Sequence, residues 1–414
     1  MLDVPADATV VTPSHQPAVA DEVRAVRAAL EHPVTGPPLG DVVPRGARVA
    51  IAVCDATRPQ PRKPMLAAIA QVLGSRVRPE DVAVLIATGT HVASSEAQRR
   101  EMLGADVLRR WRVVDHDARD EAALAHVGLI DGVPVALNRE WLEADVRITT
   151  GFVEPHFFAG FSGGPKMVAP GLASLDTVLE LHSPARIADP RATFAVTHGN
   201  PVHDAVRAIA VATRVTYAVD VLIDDRHRIT HAFGGPVLEM HAEACRVARA
   251  VAMQPVQEPF DVVITTNSGY PLDRNLYQAV KGMAAAGMVV AEGGTILCAA
   301  ECRDGIPDDS PYAALLHRGS SIEAVGRAIL DAGRTTPDGW QVQVQARVQA
   351  RARVQLFSGL PTESVRAAHL EPVGDIAVSL AEFLKRQPGA RVCVLPEGPQ
   401  TIPYLRAATT SASQ

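Results

Sequence analysis

The chain has 414 residues, of which 47% are hydrophobic and 21% charged, a balance typical of a soluble globular protein of two or three domains. The net charge is -6 and basic runs are missing, so we predict no binding of nucleic acid through bulk charge. No apolar stretch is long enough to span a membrane, the start lacks a signal-peptide pattern, and five scattered cysteines favour reduced thiols in the cytoplasm.

Short apolar runs rich in β-branched residues alternate with helical patterns along the first half of the chain. These runs predict buried strands over 48–53, 81–86, 111–114 and 145–148. A hairpin is predicted around residues 224–225, followed by a helix over 236–251. Strands that alternate with helices predict a parallel sheet covered by helices.

The second half repeats this alternation after a predicted linker at 255–259. Strands are expected over 261–265 and 294–298, and residues 340–356 are interpreted as a helix that passes into a strand. A last strand over 391–395 is expected to return to the first sheet, and the tail 407–414 to be disordered.

The predicted fold is therefore α/β, with two α/β domains, parallel-type sheets and an active-site cleft between them. The N-terminal domain is expected to comprise residues 1–257 plus about 388–414. The C-terminal domain is expected to comprise residues 258–387.

Polar side chains follow three of the predicted strands. Asp55 and Arg58 follow the first strand, His91 the second and His156 the fourth. Ligands of parallel sheets bind at the carboxyl ends of the strands, so these groups are expected at one edge. Either histidine is a candidate general base, and two bases suit an enzyme that works on both faces of one carbon. The arginine is a candidate for binding a carboxylate.

Residues 151–174 are rich in glycine and phenylalanine and contain Lys166, one of only four lysines in the chain. Lysine differs from arginine in that it can lose its proton and act as an amine nucleophile. The phenylalanines predict a dry pocket, which would lower the pKa of a buried lysine. A glycine-rich connecting loop with a surface lysine is the alternative interpretation.

Two further candidates come from helix patterns. His182 ends a predicted helix, where a structural or capping role and a metal-binding role both stay open. Tyr277, Gln278 and Lys281 lie on a helix of the second half, and the last two share a face that could bind an anionic substrate. A solvated helix face is the alternative there.

Several segments together resemble the lactate racemase family, the nickel-pincer-nucleotide enzymes. They are Asp55-Ala-Thr-Arg58-Pro59, Ala87-Thr-Gly-Thr-His91, the stretch from Phe152 to Lys166, His182, Gly199-Asn-Pro-Val-His203 and the stretch from Pro271 to Met283. The resemblance extends over nearly the whole chain. It implies racemisation or epimerisation of a 2-hydroxy acid by proton-coupled hydride transfer.

The resemblance also implies a cofactor and roles for the candidate residues. The cofactor would be Ni(II)-pyridinium-3,5-bisthiocarboxylate mononucleotide, tethered to Lys166 through a thioamide, with His182 as the nickel ligand and Pro170 lining its site. His91 and His156 would exchange protons. The other contacts to cofactor or substrate would come from Asp55, Arg58, Tyr277, Gln278 and Lys281. The implied partners are the substrate and the enzymes that make and load the cofactor.

The sequence departs from the family pattern at two places, and these departures leave the identity of the substrate open. Pro165 replaces a basic residue common before the tethered lysine, and Val92-Ala93 follows His91 where Arg-Pro is common. The substrate acid therefore stays open. Two other functions are weighed against the racemase: a metal-dependent hydrolase or lyase with His/Asp clusters, and a non-catalytic protein that binds an anionic small molecule.

Overall fold

A computed structural model describes residues 4–307 and 311–406, so the tail 407–414 lies outside the described residues. The chain forms two units. The N-terminal unit contains residues 15–182 and 189–249. The C-terminal unit contains the described parts of 1–14, 183–188 and 250–414. No helix in either described stretch is long and apolar enough to cross a membrane.

The strands are numbered along the chain. They are β1 (Thr9–Val10), β2 (Val49–Cys54), β3 (Val82–Ala87), β4 (Arg112–Asp115), β5 (Leu124–Ile130), β6 (Val133–Asn138), β7 (Val146–Phe152), β8 (Pro155–His156), β9 (Gly160–Phe161), β10 (Tyr217–Ile223), β11 (Ile229–Gly235), β12 (Met253–Val256), β13 (Phe260–Thr266), β14 (Val290–Ala299), β15 (Arg353–Phe357), β16 (Glu371–Pro372), β17 (Val392–Leu395) and β18 (Ile402–Leu405).

The α-helices are numbered in the same way. They are α1 (Glu22–Glu31), α2 (Leu39–Val42), α3 (Arg62–Leu73), α4 (Glu96–Arg110), α5 (Arg139–Glu143), α6 (Leu175–Leu181), α7 (Pro184–Ala188), α8 (Pro201–Ala212), α9 (Val237–Ala252), α10 (Leu276–Gly287), α11 (Pro311–Leu316), α12 (Ile322–Asp331), α13 (Gly339–Gln349), α14 (Thr362–Ala367) and α15 (Ile376–Arg386).

The N-terminal unit is built on a six-stranded sheet with the order β11-β10-β7-β2-β3-β4. All neighbours are parallel except β10 and β11, which form the predicted hairpin. Strand β2 is buried along its whole length because helices cover both faces of such sheets. The four predicted strands of this half are confirmed, with ends that differ by a few residues.

The C-terminal unit is built on a second six-stranded sheet, with the order β1-β17-β13-β14-β15-β16 and only parallel neighbours. The helix that passes into a strand over 340–356 is confirmed by α13 and β15. Part of the predicted linker is instead strand β12, which pairs with β18. The expectation of two α/β domains is thus confirmed.

The expectation that strand 391–395 returns to the first sheet is wrong. Strand β17 pairs with β13 and with β1, so the end of the described chain belongs to the C-terminal unit. The physical reason is the short α15–β17 connection, which places successive parallel strands in the same sheet. Val392 packs there with Val262 and Ile264 of β13 and with Leu380 of α15.

Candidate active site

Asp55 and His91 meet at the carboxyl ends of the neighbouring strands β2 and β3. His91 Nδ1 and Asp55 Oδ2 are 2.8 Å apart, and Thr57 Oγ1 donates to Asp55 Oδ1 at 2.9 Å. The carboxylate is buried, whereas the His91 side chain is half exposed. Burial by itself raises the pKa of Asp55, but the hydrogen bond and charge of His91 and the charge of Arg58 outweigh it, so the pKa lies below its ordinary value.

The loop that carries Asp55 and Arg58 is held by a residue that the sequence analysis missed. Arg62, at the start of α3, is buried, and burial lowers its pKa. Its guanidinium donates to the carbonyls of Cys54 at 2.8 Å, Gln60 at 3.1 Å and Arg58 at 2.8 Å, and also to that of Asp55. A fork of five donors suits such a turn of carbonyls.

His156 lies in the short hairpin of β8 and β9 that follows β7. Its Nδ1 accepts from the backbone N–H of Ala159 at 3.3 Å and of Phe158 at 3.5 Å. Its ring stacks on Phe157, with centroids 4.8 Å apart, and meets the ring of Phe158 edge-on at 4.5 Å. Two of the phenylalanines from which a dry pocket is predicted therefore contact the histidine.

Lys166 lies in a single 3₁₀ turn, Gly164–Met167, that packs against β7 and β10. Gly163 and Gly164 precede it with φ of 75° and 48°, a backbone that glycine adopts without steric cost. The turn also packs too closely for side chains: a Cβ at Gly164 would lie 2.5 Å from the ring of His241. The Nζ of Lys166, which is half-buried, lies 5.7 Å from the centroid of the Phe158 ring.

His182 caps the carboxyl end of α6 and is buried. Its Nδ1 lies 2.7 Å from the carbonyl oxygen of Val178, so this nitrogen carries the proton and the lone pair is on Nε2. Burial, aided by the charge of Lys166, lowers the pKa of His182 to about 4. A neutral imidazole with its lone pair on Nε2 is the form that binds a metal ion.

The ring of Phe158 joins these two candidates. It meets the ring of His182 edge-on at 5.3 Å and lies below the amine of Lys166. Pro170 follows in the same segment, and the next residue, Gly171, accepts from the N–H of Gly89 at 3.0 Å. The structure therefore brings the loop of His91 and the segment of Lys166 together.

Three buried side chains, one acid and two histidines, form hydrogen bonds with the backbone of this segment. None of the three is among the site residues predicted from the sequence. Asp220 of β10 accepts from the N–H of Gly164 at 2.6 Å. His241 Nε2 lies 2.8 Å from the carbonyl oxygen of Ser162, and His203 Nδ1 lies 3.0 Å from that of Ala159. Of the three, only His203 lies in a segment that carries the family resemblance, Gly199-Asn-Pro-Val-His203.

Tyr277, Gln278 and Lys281 lie on α10 of the C-terminal unit and are partly buried. The indole N–H of Trp340 donates to the hydroxyl oxygen of Tyr277 at 3.0 Å, and the side chain of Gln341 donates to its carbonyl. Gln278 and Lys281 share one helical face, as predicted. Their contribution to the same site as Lys166 stays a prediction.

The fold and the site define an α/β enzyme with acid–base groups at the edge of a parallel sheet. Comparisons with known proteins identify its kind. Residues 2–195 match the family described as lactate racemase N-terminal domain, and residues 256–402 match the lactate racemase C-terminal domain.

Named relatives agree with this match. The chain is 33% identical to a lactate racemase of Thermoanaerobacterium thermosaccharolyticum, over 91% of this chain and 89% of the relative. It is 31% identical to a lactate racemase of Lactiplantibacillus plantarum, over 91% and 90% of the two chains.

Solved structures give the same result. The lactate racemase apoprotein from Thermoanaerobacterium thermosaccharolyticum superposes with a TM-score of 0.90 at 30% identity, covering 97% of this chain and 96% of the other. A protein from Thermotoga maritima, at 18% identity and a TM-score of 0.69, shares the fold. The chain belongs to the lactate racemase family. It is an isomerase, as the sequence analysis expected.

Proposed function

We propose that this protein racemises or epimerises a 2-hydroxy carboxylic acid with a nickel-pincer nucleotide tethered to Lys166. The observation that carries this proposal is the placement of Lys166 and His182 around Phe158, at 5.7 Å and 5.3 Å from its ring centroid. An amine nucleophile and a neutral imidazole thus contact the same aromatic ring. One small prosthetic group can reach both.

The residues present fit this cofactor. The amine of Lys166 would hold it through a thioamide, and Nε2 of His182 would be the protein's ligand to the nickel, beside the soft carbon and sulfur donors of the cofactor. Pro170 and Phe158 would line the site and limit the access of water. When bound, the cofactor supplies a reversible acceptor for the α-hydrogen of the substrate together with its electron pair.

The protein's own acid–base groups move the hydroxyl proton. Because the carboxylate of Asp55 accepts from His91 Nδ1, the lone pair of neutral His91 is on Nε2, ready to take a proton. His156 has the opposite arrangement, since its Nδ1 accepts from backbone N–H groups and its neutral form carries the proton on Nε2. In this arrangement His91 would accept the hydroxyl proton of one enantiomer and His156 would donate a proton to form the other, and the two histidines would exchange these roles in the reverse direction.

Substrate recognition is proposed to come from both units. Arg58 would hold the substrate carboxylate at the edge of the first sheet, where Arg62 fixes its backbone. Tyr277, Gln278 and Lys281 would contact the substrate from α10. The proposed partners are this acid and the enzymes that load the cofactor. The five cysteines, all buried and free, support a cytoplasmic location.

Intact-mass analysis after co-expression with cofactor-making enzymes tests the proposal. The wild-type chain should carry an adduct on Lys166 and should lower the optical purity of at least one member of a panel of enantiopure 2-hydroxy acids. Lys166→Ala should lose both the adduct and the activity. Lys63→Ala, which changes an exposed lysine of α3, is the matched control and should retain both. Full activity of Lys166→Ala would rule the proposal out.

A further inference from the structure

A buried carboxylic acid lies directly beneath the turn that presents Lys166. Asp220 is at the centre of β10, between the apolar Val219 and Val221, and its side chain is inaccessible to solvent. Its Oδ2 accepts from the backbone N–H of Gly164 at 2.6 Å. This contact joins residues 56 positions apart in the chain and ties the lysine turn to the sheet.

The backbone around this carboxyl group is shaped to receive it. A Cβ at Gly163 would lie 2.6 Å from Asp220 Oδ2, and a Cβ at Gly151 would lie 2.9 Å from Oδ1. Both glycines therefore leave the space that the carboxyl group occupies. Any side chain at either position would push the lysine turn away from β10.

No ion pair to a cation balances this acid within the described part of the chain. Among residues 4–307 and 311–406, no lysine, arginine or histidine forms an ion pair with Asp220. The neighbouring titratable groups include the thiols of Cys54 and Cys245, whose pKa values its charge raises further. Burial raises the pKa of Asp220 to about 7, and the N–H groups of Gly164 and Gly151 act in the opposite direction.

A buried acid without a cation lowers the stability of the fold unless hydrogen bonds compensate for its lost hydration. One of its oxygens, Oδ2, accepts from the backbone of the lysine turn, whereas Oδ1 is buried without a hydrogen-bond partner. An apolar residue at this position would leave the N–H of Gly164 unpaired under a buried loop, which has its own cost. The hydrogen bond from Gly164 to this acid therefore constrains the backbone of the lysine turn.

We infer that Asp220 is the positioning residue for Lys166: by accepting from Gly164, it fixes the 3₁₀ turn so that the amine stays beside Phe158 and His182. The inference rests on the proposed function, in which Lys166 is the cofactor tether. It assigns the placement of the tether to a residue of β10 that would touch neither substrate nor cofactor.

The test uses the cofactor-free full chain and an amine-labelling reagent. The chain has four lysines, and labelling of Lys166 is followed against pH by peptide mass spectrometry, with the exposed Lys63 and Lys385 as internal references. In the wild type, the pH profile of Lys166 should differ from that of the references. In Asp220→Ala the difference should shrink to less than half. Asp220→Asn keeps an oxygen that can accept from Gly164 and should stay nearer to the wild type.

The matched control is Tyr217→Phe on the same strand. It removes a buried hydroxyl at the first residue of β10, three positions before Asp220, which donates to the carbonyl of Leu30 at 3.1 Å. This variant should keep the wild-type labelling profile of Lys166. An equal shift in Tyr217→Phe would mean general loosening of the strand and would overturn the inference, as would a wild-type profile in Asp220→Ala.

Cofactor loading separates this inference from the proposed function. If the wild-type chain gains no adduct on Lys166 after co-expression, the proposed function fails, yet the labelling profile still reports whether Asp220 positions the amine. If the wild type is loaded, the adduct fraction of Asp220→Ala should fall at least fivefold below it. That of Asp220→Asn should fall less. Equal loading of wild type and Asp220→Ala would contradict the inference.

Discussion

The two units bury different kinds of polar groups near their candidate residues. The N-terminal unit buries groups that can change their charge: His182, His203 and His241, with Asp220 beneath the lysine turn. The C-terminal unit buries one carboxylate, Asp273, and three amides of one helix, α13, whose donors and acceptors stay neutral at any pH of interest. The lysine turn thus lies among titratable groups, whereas Tyr277 lies against neutral donors of α13.

The buried amides show how the C-terminal unit does this. Gln345 donates to the carbonyl of Ala368 at 2.8 Å and accepts from the hydroxyl of Tyr312 at 2.9 Å. Gln343 donates to the carbonyl of Pro184 at 3.1 Å. Tyr277, a candidate for substrate contact, meets the ring of Tyr312 edge-on at 5.3 Å. The comparison predicts that loss of a proton carrier harms activity far more than loss of a neutral contact.

The largest effect is expected for the two proposed proton carriers. His91→Ala and His156→Ala should each lower kcat by about 10²–10⁴-fold, the usual contribution of a general acid or base. Initial rates are measured from each enantiomer of the substrate with fully loaded enzyme. His126→Ala, an exposed histidine of β5, is the control. A fall of less than tenfold in both variants would remove them from the mechanism.

The second prediction concerns acid stability of the N-terminal unit. Burial lowers the pKa of His182 and of His203 to about 4, below the ordinary value of 6.5. The unfolded chain therefore binds more protons than the folded chain in this range, and stability falls as the pH drops from about 6.5 towards 4. Each histidine should cost on the order of 2 kcal/mol by pH 5.

Urea unfolding of Trp340→Phe measures this effect, because the remaining Trp111 and Trp141 both lie in the N-terminal unit. The free energy of unfolding should fall between pH 7 and pH 5, and His203→Gln should reduce that fall. The double variant Trp111→Phe/Trp141→Phe reports on the other unit, where the change should be smaller. Equal losses in the two reporters would break the proposed contrast between the units.

A smaller effect is expected at Arg62, the buried arginine that donates to the loop of Asp55 and Arg58. Arg62→Lys keeps the charge but cannot donate to four carbonyls in one plane, so Asp55 and Arg58 should lose part of their placement. We expect kcat/KM to fall about tenfold, the equivalent of about one lost hydrogen bond to a charged group. Arg48→Lys, at an exposed ion pair with Asp145, should leave kcat/KM within twofold. Similar losses in the two variants would argue against this role.

The sequence predicted the parts of the fold and site that depend on local pattern. Apolar runs located the strands, and the local pattern Ser95-Glu-Ala-Gln98 forms a capping box at the start of α4. Asp220 was missed because its neighbours in sequence are apolar strand residues, and only the folded sheet brings it under Gly164. Strand β17 was assigned to the wrong sheet for the same reason, because an apolar pattern predicts a strand but not the strand with which it pairs.

The smallest effect is expected in the C-terminal unit, at Tyr277. Tyr277→Phe removes the hydroxyl that accepts from the indole of Trp340 at 3.0 Å, while the ring contact with Tyr312 remains. One neutral hydrogen bond contributes about 1 kcal/mol, so we expect a change in KM of about fivefold with kcat nearly constant. Steady-state kinetics on the best acid of the panel gives both constants. Trp340→Phe removes the donor instead and should match it. A loss in kcat of a hundredfold in Tyr277→Phe would mean that this hydroxyl also carries a proton, and the contrast between the two units would have to be abandoned.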